Sequence, residues 1–159
     1  MKKALFLDRD GVLNREVGDY TFRVDDFEIL PDVIPALKLA KEKGYLLIVI
    51  SNQGGIARKI FTHDDVRSVH GKLLQTLEDT GIELQEIFYC PHHDMVGKCL
   101  CRKPDSLMLE KAIARFNIDR TNSVFIGDSQ RDVDAALKVG VKGFLINSNQ
   151  GFLKIVEDL

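Results

Sequence analysis

Near the start of the chain, the apolar run Ala4-Leu5-Phe6-Leu7 leads directly into Asp8-Arg9-Asp10-Gly11. The run fits a buried parallel strand, and the i, i+2 spacing sends both carboxylates to one side while the chain stays extended. Two like charges that close are unfavourable at a strand end unless a cation or a proton relieves them. The chemistry on offer is a carboxylate nucleophile with a metal ion and a second carboxylate beside it; the plain alternative is a solvated acidic turn. A second pair, Asp128 and Asp132, follows Val124-Phe125-Ile126-Gly127. Asp128 is placed either to cap a helix or to ligate a hard cation such as Mg²⁺, which takes one or two carboxylates, a substrate phosphate and waters. Ser51-Asn52-Gln53-Gly54-Gly55 follows another apolar run; a hydroxyl and flexible N–H groups there can hold phosphate oxygens or simply fill a turn. Lys103 precedes Pro104 at an expected helix start, against the positive end of the helix. It is either a solvated lysine or an ammonium for a phosphoryl oxygen and the nucleophile.

All three cysteines fall in one segment, Cys90-Pro91-His92 to Cys99-Leu100-Cys101. Thiolates and imidazole suit tetrahedral Zn²⁺. Cys90, His92, Cys99 and Cys101 would fill the coordination sphere, so the site reads as structural; the alternative is chance clustering of thiols. His93 is expected to face solvent, and His63 and His70 to be structural. The segment runs into Arg102-Lys103, so folding it about a metal would fix where both cations point.

These residues need a frame. The chain has 159 residues, 45% hydrophobic and 29% charged, enough for one sizeable core. A net charge of -2 argues against a nucleic-acid or anionic-membrane binder. The apolar run after Met1-Lys2-Lys3 is too short for an export signal, no stretch is long enough to span a membrane, and three cysteines cannot all pair, so a cytoplasmic protein without disulfides is expected. Strand-like runs at 4–7, 46–50, 87–89, 124–126 and 143–146 alternate with helical patterns that open at Pro31-Asp32, Thr62, Pro104-Asp105, residue 130 and Phe152. This alternation predicts an α/β fold, a doubly wound, mostly parallel sheet of about five strands covered on both faces. One domain over 1–159 is expected, with a zinc loop at 90–102, no separate cap domain, and a monomeric state because no apolar helix stripe is left over. The long segments 11–30, 51–61 and 90–103 each follow a strand, which puts them at the carboxyl edge of the sheet, where such folds bind ligands.

Taken together, the order of these residues resembles the haloacid dehalogenase-like (HAD-like) phosphatases, whose pattern is D-x-D at strand one, Ser or Thr after strand two, a later Lys, and G-D-x-x-x-D after strand four. The resemblance covers the whole chain. It implies that Asp8 attacks phosphorus to form an aspartyl-phosphate and that Asp10 protonates the leaving oxygen and then deprotonates water. It further implies Mg²⁺ on Asp8, the backbone carbonyl of Asp10 and Asp128, phosphoryl binding by Ser51 and Lys103, and a supporting role for Asp132. The run Cys-Pro-His…Cys-x-Cys-Arg-Lys-Pro is similar to two groups of that family, the D-glycero-D-manno-heptose-1,7-bisphosphate 7-phosphatases and the histidinol-phosphate phosphatases. Asn52-Gln53-Gly54-Gly55-Ile56-Ala57-Arg58 and Gly18-Asp19-Tyr20 lean toward the first. That implies substrate contacts from Tyr20, Asn52, Gln53, Arg58 and Arg102, the arginines holding a second phosphate. Gly54 stands where those enzymes carry Ser, Ser129 where they carry a basic residue, and Leu107 and its neighbours lack their Pro-Gly-Met. Two readings from other classes compete. A phospho-accepting receiver module would need its Asp after strand three, where this chain has Cys90; a zinc-stabilised interaction protein without catalysis would not need the intact acidic set.

Overall fold

The computed structural model describes residues 1–159. Its sheet is five-stranded and parallel throughout, with strands Ala4–Leu7 (β1), Leu46–Asn52 (β2), Glu86–Cys90 (β3), Val124–Gly127 (β4) and Lys142–Leu145 (β5) in the order β3-β2-β1-β4-β5. The crossovers are Val33–Glu42 (α1), His63–Glu78 (α2), Leu107–Phe116 (α3) and Gln130–Lys138 (α4), and Leu153–Glu157 (α5) closes the chain.

Strand parity explains why two cores form. Leu5, Leu7, Leu47 and Val49 pack with α1, α2 and α5 on one face, whereas Ala4, Phe6, Ile48 and Ile50 pack with α3 and α4 on the other. Side chains alternate between faces along a strand, so both parities must be apolar when both faces are covered. The order reverses between β1 and β4, and Leu7 pairs with Ile126 while the Asp8 N–H donates to the Ile126 carbonyl at 3.1 Å. Asp8 and Asp128 therefore emerge side by side at the switch point, where open α/β sheets place their ligands.

Some boundaries differ from the sequence expectation. β2 runs on through Ser51 and Asn52, because Tyr89 and Cys90 continue the pairing. α3 begins at Leu107 rather than at Pro104, so Lys103 is not set against a helix terminus. α2 opens with the capping box that Thr62 and Asp65 suggest. Asp32 is the N-cap residue of α1 but its side chain makes no capping bond there; its carboxylate accepts instead from the backbone N–H groups of Phe152 and Leu153 at 2.7 and 3.0 Å, at the start of α5. No helix is long and apolar enough to cross a membrane.

Candidate active site

The floor of the site is an acid cluster built on the two central strands. Ligand-capable oxygens of Asp8, Asp128 and Asp132 all lie within 4.8 Å of one another. Lys103 is buried among them, its ammonium donating to Asp8 Oδ1 at 2.9 Å and to the Ile50 carbonyl at 2.7 Å, and pairing with Asp132 Oδ1 at 2.7 Å. Burial opposes the lysine's charge, but Asp8 and Asp132 outweigh it and hold its pKa above the ordinary value. Burial pushes the Asp8 carboxyl up to about 6 against the pull of Lys103, with the charge of Asp132 adding to the rise. Asp128 is raised as well, by burial first and then by Asp8, although the Ser148 hydroxyl donates to it. One ammonium does not satisfy this cluster, and its hard oxygen donors fit a divalent cation such as Mg²⁺. Asp132 is already committed, with one oxygen on Lys103 and the other accepting from the Ser129 N–H at 3.1 Å. That leaves Asp8 and Asp128 as the carboxylates available to a metal. Ser129, not Asp128, is the N-cap of α4. Gly11, at φ +81°, passes so close to Asp128 that any Cβ there would collide with its carboxyl group.

Asp10 is held differently. Its Oδ1 accepts from Arg9 Nη2 and Asn14 Nδ2, each at 2.9 Å, and its Oδ2 from Gln53 Nε2 at 3.1 Å. Gln53 is buried and donates also to the Ser51 hydroxyl at 2.9 Å. Both of its side-chain contacts serve residues of the site. Ser51 is equally buried. Asn52 lines the cavity but is engaged with the backbone of Lys103, donating to its carbonyl at 3.1 Å and accepting from its N–H at 3.0 Å.

Above the acids opens a polar cavity of about 690 Å³, with Tyr20 as its one hydrophobic lining residue. Arg58, Arg102 and Arg131 line it together with His93. Arg58 donates to the Tyr20 hydroxyl at 3.1 Å, Arg102 to the His92 carbonyl at 3.2 Å, and Arg131 to the Ser129 hydroxyl at 3.0 Å. His93 is half-buried rather than turned to solvent, and burial and then the charges of Arg102 and Arg58 lower its pKa. Gly54 makes room here, because a Cβ on it would sit 2.9 Å from both Arg102 Nη1 and the His92 carbonyl. Reading the sequence missed Arg9, Asn14, Arg131 and Ser148. Only Arg9 left a signal, a charged residue whose parity sends it to the opposite face from its neighbours.

Beside the cavity, donor atoms of Cys90, His92, Cys99 and Cys101 also gather within 4.8 Å. The Cys90 and Cys99 sulfurs are 3.8 Å apart, about the edge of a tetrahedron with metal–sulfur bonds near 2.3 Å, whereas Cys90 and Cys101 lie closer, at 2.9 Å. This donor set fits Zn²⁺. The loop is tied into the site, since the Gln53 N–H donates to the Cys90 carbonyl at 2.8 Å, the Ala57 N–H to the Pro91 carbonyl at 3.1 Å, and the Arg102 N–H to Cys99 Sγ at 3.4 Å.

Residues 100–152 match a family model described as HAD-hydrolase-like. The D-glycero-beta-D-manno-heptose-1,7-bisphosphate 7-phosphatase of Haemophilus ducreyi is 43% identical to the chain over 147 residues, 89% of this chain and 80% of that protein. The chain belongs to the HAD-like phosphatases. A Photorhabdus laumondii relative with the alpha-heptose name is 35% identical over 92% of this chain and 83% of its own length. Among solved structures, the D,D-heptose 1,7-bisphosphate phosphatase from B. bronchiseptica, complexed with magnesium and phosphate, superposes with a TM-score of 0.84 at 31% identity, covering 90% of this chain and 79% of that one. The expected fold and the expected class, a phosphomonoester hydrolase, both hold. Family membership also removes the receiver-module alternative, and Cys90 does end strand three where such a module would carry its aspartate.

Proposed function

We propose that this HAD-like phosphatase uses Mg²⁺ to remove the 7-phosphate of a D-glycero-D-manno-heptose 1,7-bisphosphate. The observation that carries the substrate is the pairing, in one cavity, of the Asp8–Lys103 floor with Arg58 and Arg102 in the lining; a bisphosphate has one anion for each. Relatives carrying that name at 35–43% identity support it.

The chain's own residues supply the steps. Asp8 attacks phosphorus, an O–P bond forms, and the ester oxygen leaves with a proton from Asp10. Water then attacks the aspartyl-phosphate, Asp10 takes its proton, and phosphate departs with the Asp8 carboxylate restored. Lys103 and the Ser51 hydroxyl hold the phosphoryl oxygens; the Ser51 oxygen accepts from Gln53, so its own proton is free to donate. Asp8, Asp128 and the Asp10 carbonyl would hold Mg²⁺, which neutralises charge on the transferring group. Asp132 supports Lys103. Tyr20 and Asn52 shape the walls, and the reaction is placed in the cytoplasm, where three thiols stay reduced.

The test is phosphate release with Mg²⁺ from both heptose 1,7-bisphosphate anomers, fructose bisphosphate and histidinol phosphate. The expected outcome is the highest kcat/KM on a heptose bisphosphate, with the C1 phosphate retained. Equal or better turnover of histidinol phosphate would overturn the substrate assignment. Glu16 and Asp19 also line the cavity and would suit the amine of that second candidate.

The zinc reading carries its own prediction. Purified protein should contain about one Zn²⁺ per chain. Stripping it with a chelator, Mg²⁺ then being restored, should lower both melting temperature and kcat/KM, because Arg102 and Lys103 lose their anchorage. Full activity and unchanged melting in zinc-free protein would refute it.

A further inference from the structure

Arg9 lies between the two aspartates of the site but lines no part of the cavity, and it is the largest wholly buried side chain in the molecule. Each of its three guanidinium nitrogens has a partner. Nε and Nη2 approach Asp10 Oδ1 at 3.2 and 2.9 Å, Nη2 also reaches Asp10 Oδ2 at 3.2 Å and the Thr21 carbonyl at 2.8 Å, and Nη1 lies 3.3 Å from His70 Nε2. Arginine can only donate, so His70 Nε2 is the acceptor and its ring proton resides on Nδ1. Burial, with Arg9 adding to it, holds His70 down at about 4, which keeps it a neutral acceptor at neutral pH. The His70 ring is itself packed edge-on to Tyr89, 5.6 Å between centroids at 72°, and the Tyr89 hydroxyl is bonded to His63 at 2.8 Å.

We propose that Arg9 and His70 are positioning residues for proton transfer: His70 fixes the guanidinium, and the guanidinium fixes which oxygen of Asp10 handles the proton. The proposal rests on reading Asp10 as the acid–base group. Oδ1, with Arg9 Nε, Arg9 Nη2 and Asn14 Nδ2 all donating to it, has no lone pair left for a proton. Oδ2 takes one full donor, Gln53, and a longer contact from the Arg9 Nη2 that already serves Oδ1, so it is the less heavily engaged oxygen, and the proton given to the ester oxygen is carried there. Without the His70 acceptor, Nη1 is left unsatisfied in a buried setting, the fork rotates to find a partner, and the distinction between the two oxygens is lost.

The experiment compares kcat/KM, which reports the step in which the leaving group departs, on the heptose bisphosphate and on p-nitrophenyl phosphate. An alkoxide leaving group needs a proton in the transition state and p-nitrophenolate does not. His70→Leu should lower kcat/KM about tenfold or more on the sugar phosphate and less than about twofold on the nitrophenyl ester. His70→Gln, which returns an acceptor near the place of Nε2, should recover most of the loss. Arg9→Lys, which keeps the buried charge without the fork, should show the same selectivity for the poor leaving group and carries the comparison if His70→Leu does not fold. Equal losses on both esters, or a glutamine variant no better than the leucine one, would reduce the pair to a merely structural role and overturn the proposal. Wild-type protein inert toward both esters would overturn the phosphatase reading itself.

Discussion

Asp8→Asn will abolish turnover while leaving a metal-free protein at least as stable as the wild type. An amide cannot attack phosphorus, so the loss in phosphate release should be on the order of 10⁴-fold or more, as for removal of a nucleophile elsewhere. The stability half follows from burial. The Asp8 carboxyl titrates near 6 in the folded chain against a reference of 3.8. Its contribution to stability is therefore fully present below pH 3.8 and is lost as pH rises through about 6. At neutral pH without metal the charged group costs up to about 3 kcal/mol, and asparagine escapes that cost. Thermal melts at pH 7.5 should show the variant melting no lower than the wild type in chelator. Added Mg²⁺ should raise the wild-type melting temperature and move the variant much less. A variant that melts several degrees lower, or that keeps more than about a hundredth of the activity, would contradict this account.

Lys103→Met should do the reverse. The ammonium is almost wholly buried, with Asp8 at 2.9 Å, Asp132 at 2.7 Å and the Ile50 carbonyl at 2.7 Å. Removing it strands two buried carboxylates that repel each other, a loss of about 3–5 kcal/mol, and it takes away a donor to the transferring group, about 10²–10³ in kcat. Urea melts will read the first and steady-state assays the second. Adding Asp8→Asn to Lys103→Met should restore part of the stability but none of the activity, because the two charges are coupled. A methionine variant within about 1 kcal/mol of wild type would mean that the buried lysine is not holding the acids together.

The sequence was most legible where one physical demand acted alone. Strands covered on both faces must be apolar at every position, so the runs at 4–7 and 124–126 could be read directly, and with them the adjacency of Asp8 and Asp128. The zinc quartet was legible because cysteine and histidine at such spacing have few other uses. Where two demands met, the reading failed. Pro104 suggested a helix start, but the chain instead turns there to bury Lys103, and the helix waits until Leu107. Arg9 meets His70, sixty-one residues on, and His93 feels the charges of Arg102, Arg58 and Arg131 from three separate segments, juxtapositions that periodicity does not encode.

The sheet order β3-β2-β1-β4-β5 seats Asp8 and Asp128 at the ends of β1 and β4, each flanked by strands on both sides. Amide protons there should exchange only through global opening, whereas those of segments 11–30, 53–61 and 91–102, which carry Tyr20, Arg58 and Arg102, should exchange through smaller local openings. Bond breaking is thus vested in the slowest-exchanging part of the chain and substrate choice in faster parts, so mutation can redirect the molecule toward a different phosphate ester by altering loops alone, with the phosphoryl-transfer apparatus inherited intact.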